Sequence, residues 1–314
     1  MWAILAPHRV ALPFTLIAAF GIFETRGNNM RTAFSALVYT CILFLFSGCD
    51  IVDPPFTDPG AVVSTDPIEG PARKVLLEEF TGHQCGHCPR GAYEAQQLKA
   101  IYGEQLIIYA AHATNLADND ISPYWYNFKC ATGIEIADHF DPDGLPVGMV
   151  NRNKLNGSVT LGDNEWGSAL ATILANPAQI SLDISSTYNS DTRELESTVK
   201  TEFVQAMNGT YNLCVFLVED SIVKWQLIYS QYTNLGYPTG DVEDYVHRHA
   251  LRGSMNNTWG DEIAAGAIAT GDTVLSSYST VLDTGWEENH MSVVAFVYDV
   301  ATEEIIQAEE EHLH

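Results

Sequence analysis

Residues 81–91, TGHQCGHCPRG, decide the fold of this chain because they hold two cysteines just before a helical pattern. Cys85 and Cys88 are separated by two residues, and Pro89 follows directly. Proline suits the first turn of a helix, where its missing N–H would have no partner. Residues 89–102 then repeat apolar side chains at helical spacing. The pattern predicts a cysteine pair at the N-terminus of a helix.

The segments on either side of this loop predict an α/β domain. Residues 74–80 (KVLLEEF), 105–111 (QLIIYAA) and 145–152 (LPVGMVNR) have the short apolar runs of buried strands. Residues 124–140 are expected to be helical in pieces, and residues 163–175 are expected to form a closing helix. Strands that alternate with helices in this order are typical of an α/β fold.

The pattern changes after Pro177, where about seven or eight alternating, β-rich runs are separated by turn-forming residues. This pattern predicts a β-sandwich of immunoglobulin-like type. The expected fold class is therefore α/β plus all-β, with an α/β domain over residues 74–177 and a β-sandwich domain over residues 178–314.

Composition narrows the classes of function. The chain has 314 residues, of which 46% are hydrophobic, and a formal net charge of -25. This length suits two domains, each able to bury a core. Nucleic acid is excluded as a partner because phosphate binding needs a basic stripe, and the chain has none.

The N-terminal residues 1–49 are predicted to be a signal region. Residues 30–50 begin with Met30, continue with an apolar run too short to span a bilayer, and end in FSGC. This boundary resembles the lipobox of bacterial lipoproteins, which implies acylation of Cys49 and attachment to a membrane through its lipid. We expect translation to begin at Met30. Residues 50–73, rich in Pro, Asp and Gly, are expected to be a tether.

The cysteine spacing supports three interpretations. A helix N-terminus lowers the pKa of a nearby thiol, and a second thiol at this spacing can resolve a mixed disulfide. The pair could instead be a static disulfide. It could also bind zinc or copper together with His83 and His87, with His112 or His139 as a further ligand.

The arrangement of a strand, the CxxC pair, a helix, a second strand and Leu145-Pro146 before a third strand resembles a thioredoxin-like domain over about residues 73–177. The dipeptide between the cysteines resembles that of protein disulfide isomerases. Gln84 departs from the pattern, since an aromatic residue usually precedes the first cysteine. The resemblance implies these roles: Cys85 as the attacking thiol, Cys88 as the resolving thiol, Glu79 as a buried proton acceptor, Pro146 as a cis-proline facing the disulfide, and His87 as a stabiliser of the thiolate.

A second resemblance covers nearly all of the chain after the signal region. The lipobox, the tether, the EEFTGHxCxxCP motif and the later segments YVHRHALRG, NNTWGDEI and VVAFVYDVATEEIIQAEEEHL resemble the outer membrane protein twenty-eight family of Gram-negative bacteria. This resemblance implies an outer-membrane lipoprotein of the cell envelope that faces either the periplasm or the cell surface.

Other residues could carry function, and each set also has an ordinary structural interpretation. Cys130 and Cys214 could pair, although Cys214 lies in an apolar run typical of a core. His247 and His249 are expected to alternate on one strand and could be ligands. The tryptophans that could form a binding platform or simply pack in the core are Trp125, Trp225, Trp259 and Trp286.

The sequence supports two hypotheses of function. In the first, the chain is an exported, lipid-anchored thiol-disulfide oxidoreductase that exchanges disulfides with protein clients and needs no cofactor or metal besides the Cys85–Cys88 disulfide. In the second, it is a surface-displayed binding protein or adhesin in which the cysteine-bearing domain is scaffold. Access to Cys85 distinguishes them, because a scaffold cysteine is buried.

Overall fold

The computed structural model describes residues 70–313, and within them it contains three helices and fourteen strands. The helices are α1 (Cys88–Tyr102), α2 (Ala131–Phe140) and α3 (Asp163–Leu174). The strands are β1 (Val75–Thr81), β2 (Leu106–His112), β3 (Val147–Val150), β4 (Leu161–Gly162), β5 (Ile180–Asn189), β6 (Glu194–Phe203), β7 (Met207–Glu219), β8 (Ile222–Ile228), β9 (Gly240–His247), β10 (Ala250–Ser254), β11 (Asp261–Ile268), β12 (Thr273–Val281), β13 (Met291–Asp299) and β14 (Ile305–His312).

The burial of each strand follows from its sequence. Every residue of β1 and β2 is buried, as expected for central strands that are covered on both faces. β5 and β6 alternate between buried and more exposed positions, as expected for strands with one face on the core. Helix α1 begins at Cys88 and ends before Gly103, a glycine with a positive φ.

Most strands join one nine-stranded sheet. Its order is β14-β13-β7-β10-β2-β1-β3-β4, and β11 also pairs with β7. β1 and β2 are parallel, with Val75 opposite Leu106, and β10 joins the other edge of β2 through the pair Ala250–Ala110. A separate three-stranded sheet has the order β12-β6-β5. The sheet therefore runs without interruption from the N-terminal strands to the C-terminal ones.

Both faces of the large sheet are covered. On one face, Leu76 of β1, Ile107 of β2, Phe216 of β7 and Phe296 of β13 share a core with Ile136 of α2. The opposite face has two cores, because α1 and α3 pack on β1 and β2 while β5 and β6 pack on β7 and β13. These layers place the start of α1 at the end of β1, where the cysteine loop lies.

The predicted fold class, a thioredoxin-like domain followed by an immunoglobulin-like β-sandwich, is wrong. β7, β10, β13 and β14 extend the same sheet that contains β1 and β2, and one core includes residues from both predicted domains. The expectation failed because alternating hydrophobicity shows which side of a strand is buried but not which strand it pairs with. The boundaries at residues 74, 177 and 178 stay predictions.

The predicted signal region, the start at Met30, acylation of Cys49 and most of the tether lie outside the described residues. Within residues 70–313, none of the helices combines the length and the apolar character needed to cross a membrane.

Candidate functional site

The cysteine pair lies in the loop between β1 and α1. Cys85 and Cys88 form a disulfide, with their Cα atoms 5.4 Å apart. The Cys88 amide donates to the Cys85 carbonyl oxygen at 3.1 Å, and Cys88 is the first residue of α1. The loop therefore places the pair at the positive end of the helix dipole, which favours a thiolate.

Both sulfurs are shielded from solvent. Cys85 is 4% exposed and Cys88 is 2% exposed. Both cysteines are therefore buried in this conformation.

Glu79, the predicted proton acceptor, is buried on β1 and lies close to Cys88. Burial, and then the nearby negative charge of Asp163, raises the pKa of Glu79 to about 8. Its Oε1 atom has no hydrogen-bond partner among the described residues. Glu79 and Cys88 both line a cavity with about 20 Å³ of room for the centre of a water molecule, which is enough for one water. Glu79 and Cys88 therefore border one small cavity.

The adjacent Glu78 has a different role. It points to the opposite face of β1, where Arg152 Nε and Nη2 donate to it at 2.9 and 2.8 Å and the Tyr109 hydroxyl also donates. These contacts satisfy the buried carboxylate. Of the two glutamates in the sequence KVLLEEF, only Glu79 faces the cysteines with a free oxygen.

Pro146 lies next to Gly91 of α1. The Leu145–Pro146 peptide bond is cis. A Cβ atom placed on Gly91 of α1 would lie 2.6 Å from the Pro146 Cβ and 3.1 Å from the Glu79 Oε1. Gly91 therefore allows the helix, the proline and the carboxyl group to come together.

A segment far along the sequence covers the cysteine loop. We define residues 222–247 as the strap: β8, the 3₁₀ turn Ser230–Leu235 and β9, with β8 and β9 paired antiparallel. The Leu227 amide donates to the His83 carbonyl oxygen at 2.8 Å, and the Tyr229 amide donates to the Gly86 carbonyl oxygen at 3.1 Å. The Gln226 side chain also donates to the Cys85 carbonyl oxygen at 3.0 Å.

His87 contacts the strap and is itself exposed. Its Nδ1 lies 2.7 Å from the Tyr232 hydroxyl, and its ring meets the Tyr229 ring edge-on at 4.8 Å. Gln84 turns away instead, with its side-chain amide donating to the Asp118 carbonyl oxygen. The predicted thiolate stabiliser is therefore engaged by the strap in this structure.

Two buried histidines lie on the other side of Cys88. His112 and His247 line the same small cavity, and their rings are 5.7 Å apart. Burial lowers the pKa of His247 to about 3 and places the pKa of His112 well below its ordinary value, so both rings are neutral. Neither ring nitrogen of His112 has a hydrogen-bond partner in the described part of the chain.

The remaining candidates are dispersed. Within residues 70–313, no group of three or more His, Cys, Asp or Glu side chains is placed to hold a metal ion. His83 contacts the Asp118 carbonyl oxygen, and His139 pairs with Glu303. The predicted alternation of His247 and His249 on one strand is wrong, because His249 lies between β9 and β10 with a positive φ.

The other cysteines and tryptophans also take separate positions. Among the described cysteines, Cys130 and Cys214 are free; Cys130 accepts a hydrogen bond from the Gly133 amide at the start of α2, and Cys214 is buried. Trp125 and Trp225 line a pocket of about 430 Å³ next to His83. The other two tryptophans lie elsewhere: Trp259 against His139 and Trp286 beside Arg252.

Reasoning from the sequence missed the strap and the glycine that shapes the site. VKWQLIYSQY predicts a strand, but no local signal indicates that it will cover the cysteines. Gly91 could have been noticed as a glycine inside a helical pattern, since such a residue often marks a close packing contact.

Several solved structures are similar to this chain. HBP35 of Porphyromonas gingivalis is 20% identical, with a TM-score of 0.56 over 78% of this chain and 77% of that one, and this likeness concerns the fold alone. Protein AGR_C_4864 from Agrobacterium tumefaciens is 13% identical, with a TM-score of 0.43 over 76% of this chain and 94% of its own. A domain of the outer membrane lipoprotein Omp28 from Porphyromonas gingivalis is 22% identical, with a TM-score of 0.28 over 44% of this chain and 89% of its own.

The family comparison covers the chain from within α2 to the end of the described residues. No curated protein matches the chain significantly. The family described as Outer membrane protein Omp28 matches residues 135–313, which is more than half of the chain. The predicted localisation, an outer-membrane lipoprotein of the cell envelope, agrees with this match. The chain belongs to the outer membrane protein Omp28 family.

Proposed function

We propose that this protein is a lipid-anchored thiol-disulfide oxidoreductase that exchanges disulfides with protein clients through Cys85 and Cys88. The observation that carries the proposal is the shared cavity of Cys88 and Glu79 at the start of α1. The position of Pro146 beside α1, near Gly91 and Glu79, supports the proposal. A structural disulfide alone would not need a buried, unpaired carboxyl group next to it.

The exchange proceeds in two balanced steps. In the reduced protein, the Cys85 thiolate attacks one sulfur of a client disulfide; the client's S–S bond breaks, a bond from Cys85 to the client forms, and the second client sulfur leaves as a thiolate. Cys88 then loses its proton to Glu79 and attacks the Cys85 sulfur, which releases the first client sulfur. Two electrons pass from the protein dithiol to the client, and a client dithiol reverses the steps.

Glu79 accepts this proton in its ionised form, whose fraction grows as the pH rises toward its pKa of about 8. Burial raises the pKa to about 8, close to the ordinary thiol value of about 8.5. Proton transfer between two groups of similar pKa costs little free energy, and one water in the cavity can carry the proton.

The first experiment is an equilibration of the full-length protein with glutathione buffers, followed by thiol alkylation of Cys85 and Cys88. We expect a reversible couple between about -270 and about -120 mV, the range of known oxidoreductases. A pair that cannot be reduced and reoxidised would rule out the proposal.

A trapping experiment then tests the roles of the two thiols. Cys88→Ala should accumulate a mixed disulfide between Cys85 and a client in cells, because the resolving thiol is absent. The free Cys130 provides the control, since Cys130→Ala should give no adduct. Absence of any adduct in Cys88→Ala would contradict the proposed roles.

The second candidate function is a surface-displayed binding protein in which the cysteine pair is structural. Burial of Cys85 favours it, because a static disulfide has no need of access. The pocket lined by Trp125, Trp225 and Tyr126 would be the binding surface. The same glutathione equilibration separates the two candidates.

A further inference from the structure

We infer that β8 of the strap occupies the groove in which a client polypeptide binds, so that a client with an extended segment must displace it to reach Cys85. This inference rests on the proposed redox function. It names the partner as an extended polypeptide with an aromatic side chain, and it names the strap as the element that regulates access.

The length of the connection is the first argument. β7 and β10 are antiparallel neighbours in the large sheet, with Leu251 opposite Val218. Such neighbours need only a short hairpin turn, yet residues 220–249 lie between them. Connections this long in compact folds are usually functional. The need to connect β7 with β10 therefore does not explain the length of the strap.

The second argument is the way in which β8 and Tyr229, the residue after it, bind the cysteine loop. Leu227 and Tyr229 are two residues apart, and both donate their backbone amides to carbonyl oxygens of the loop, at His83 and Gly86. Alternate residues of an added strand form such bonds when an extended peptide pairs with an exposed backbone. Because these are backbone contacts, any extended segment can form them.

The third argument is the position of the Tyr229 ring. A Cβ atom on Gly86 would lie 2.5 Å from this ring, so the glycine between the cysteines leaves just enough space for it. Tyr229 itself is 41% exposed. The ring can therefore leave without opening a core, and a client's aromatic side chain can take its place against Gly86 and His87.

The turn of the strap keeps its apolar side chains on the strap itself, where Tyr232 shares a small core with Ile228, Val242 and Tyr245. It contacts His87 and Arg90 mainly through polar groups. The Tyr232 hydroxyl meets His87 Nδ1 at 2.7 Å and Arg90 Nη1 at 3.5 Å. Segments with few apolar contacts open at low free-energy cost. The apparent affinity for a client is then reduced by the fraction of molecules in which the strap is open.

The test measures the rate at which iodoacetamide alkylates Cys85 in reduced, full-length protein, and it compares wild type with two variants and a control. Tyr229→Ala removes the ring over Gly86, and Gly86→Ala pushes that ring away. Both variants should be alkylated at least about tenfold faster than wild type, because a larger open fraction exposes the sulfur. Tyr278→Ala, on β12, is the matched control and should leave the rate unchanged.

A peptide competitor tests the partner class. The synthetic peptide IVKWQLIYSQYTNL, which is residues 222–235, should slow alkylation of Tyr229→Ala as its concentration rises, and a scrambled peptide should not. In wild type, the same peptide should speed hydrogen exchange at the Leu227 and Tyr229 amides. The exchange measurement needs no variant, so it decides the question even if a substitution prevents folding.

The outcomes separate this inference from the proposed function. Unchanged alkylation in both variants, or equal inhibition by the scrambled peptide, would overturn the inference while a reversible glutathione couple left the redox proposal standing. A pair that cannot be cycled would overturn the redox proposal and, with it, the client groove.

Discussion

At the scale of single residues, the two neighbouring glutamates of β1 show how environment separates identical side chains. Glu78 forms an ion pair with Arg152 and accepts a hydrogen bond from the Tyr109 hydroxyl, whereas Glu79 has an oxygen without a hydrogen-bond partner among the described residues. Alternation along the strand places them on opposite faces. The role of Glu79 as a proton acceptor stays a prediction, and the isolation of its carboxyl group comes from the packing around it.

The raised pKa of Glu79 predicts a specific dependence of stability on pH. In the unfolded chain, Glu79 ionises near pH 4.5, while in the fold it keeps its proton up to about pH 8. Between these values the native state binds more protons, so stability falls as pH rises, by on the order of 5 kcal/mol across the window. Glu79→Gln is neutral in both states and should lack this loss.

Urea unfolding of wild type and Glu79→Gln at several pH values within that window measures the difference. Glu104→Gln, which changes an exposed glutamate, serves as the control and should follow wild type. If the free energy of unfolding changed with pH in the same way for wild type and Glu79→Gln, this result would contradict the raised pKa of Glu79.

At the scale of elements, α1 packs closely against the rest of the site because it has a glycine at the point of contact. Gly91 of α1 faces Pro146 and Glu79, while Gly167 of α3 faces only a terminal methyl group of Leu98. Both glycines lie inside helices, where alanine is intrinsically preferred. Alanine substitutions at the two positions therefore distinguish the effect of helix propensity on stability from the effect of close packing.

Gly91→Ala should destabilise the protein by about 1–3 kcal/mol, because a Cβ 2.6 Å from the rigid Pro146 ring forces the helix to shift. Gly167→Ala should change the free energy of unfolding little, or raise it by up to about 1 kcal/mol, because its Cβ would lie 3.3 Å from a flexible side chain. Chemical denaturation of both variants measures these values. Equal effects would show that the contact with Pro146 is unimportant.

At the scale of the whole molecule, the N-terminal and C-terminal strands form one folding unit. Asn151 accepts a hydrogen bond from the Ile305 amide and donates its side-chain amide to the Ile305 carbonyl oxygen. The core between the sheet and α2 contains Ile107 together with Phe216 and Phe296. Removal of β7, β13 and β14 would expose this face of the N-terminal strands.

We therefore expect residues 70–177, expressed alone, to lack a stable native fold, since the fragment would expose the core that β7 and β13 cover. Residues 70–313 should unfold in one cooperative transition. Calorimetry and two-dimensional NMR of both proteins test this. A dispersed, native-like spectrum of the short fragment would show instead that it is an independent domain.

The sequence alone determined the local chemistry of this protein. The spacing of Cys85, Cys88 and Pro89 predicts a cysteine pair at the start of a helix, and the apolar runs predict β1, β2 and α1, because these features depend on neighbours in the chain. The structure shows this pair as a disulfide. Only the tertiary structure decided that β7 and β13 continue the same sheet and that Tyr229 lies over Gly86. Strand pairing and the path of a long connection depend on contacts between residues more than a hundred positions apart, and hydrophobic periodicity carries no information about which of several similar strands will meet.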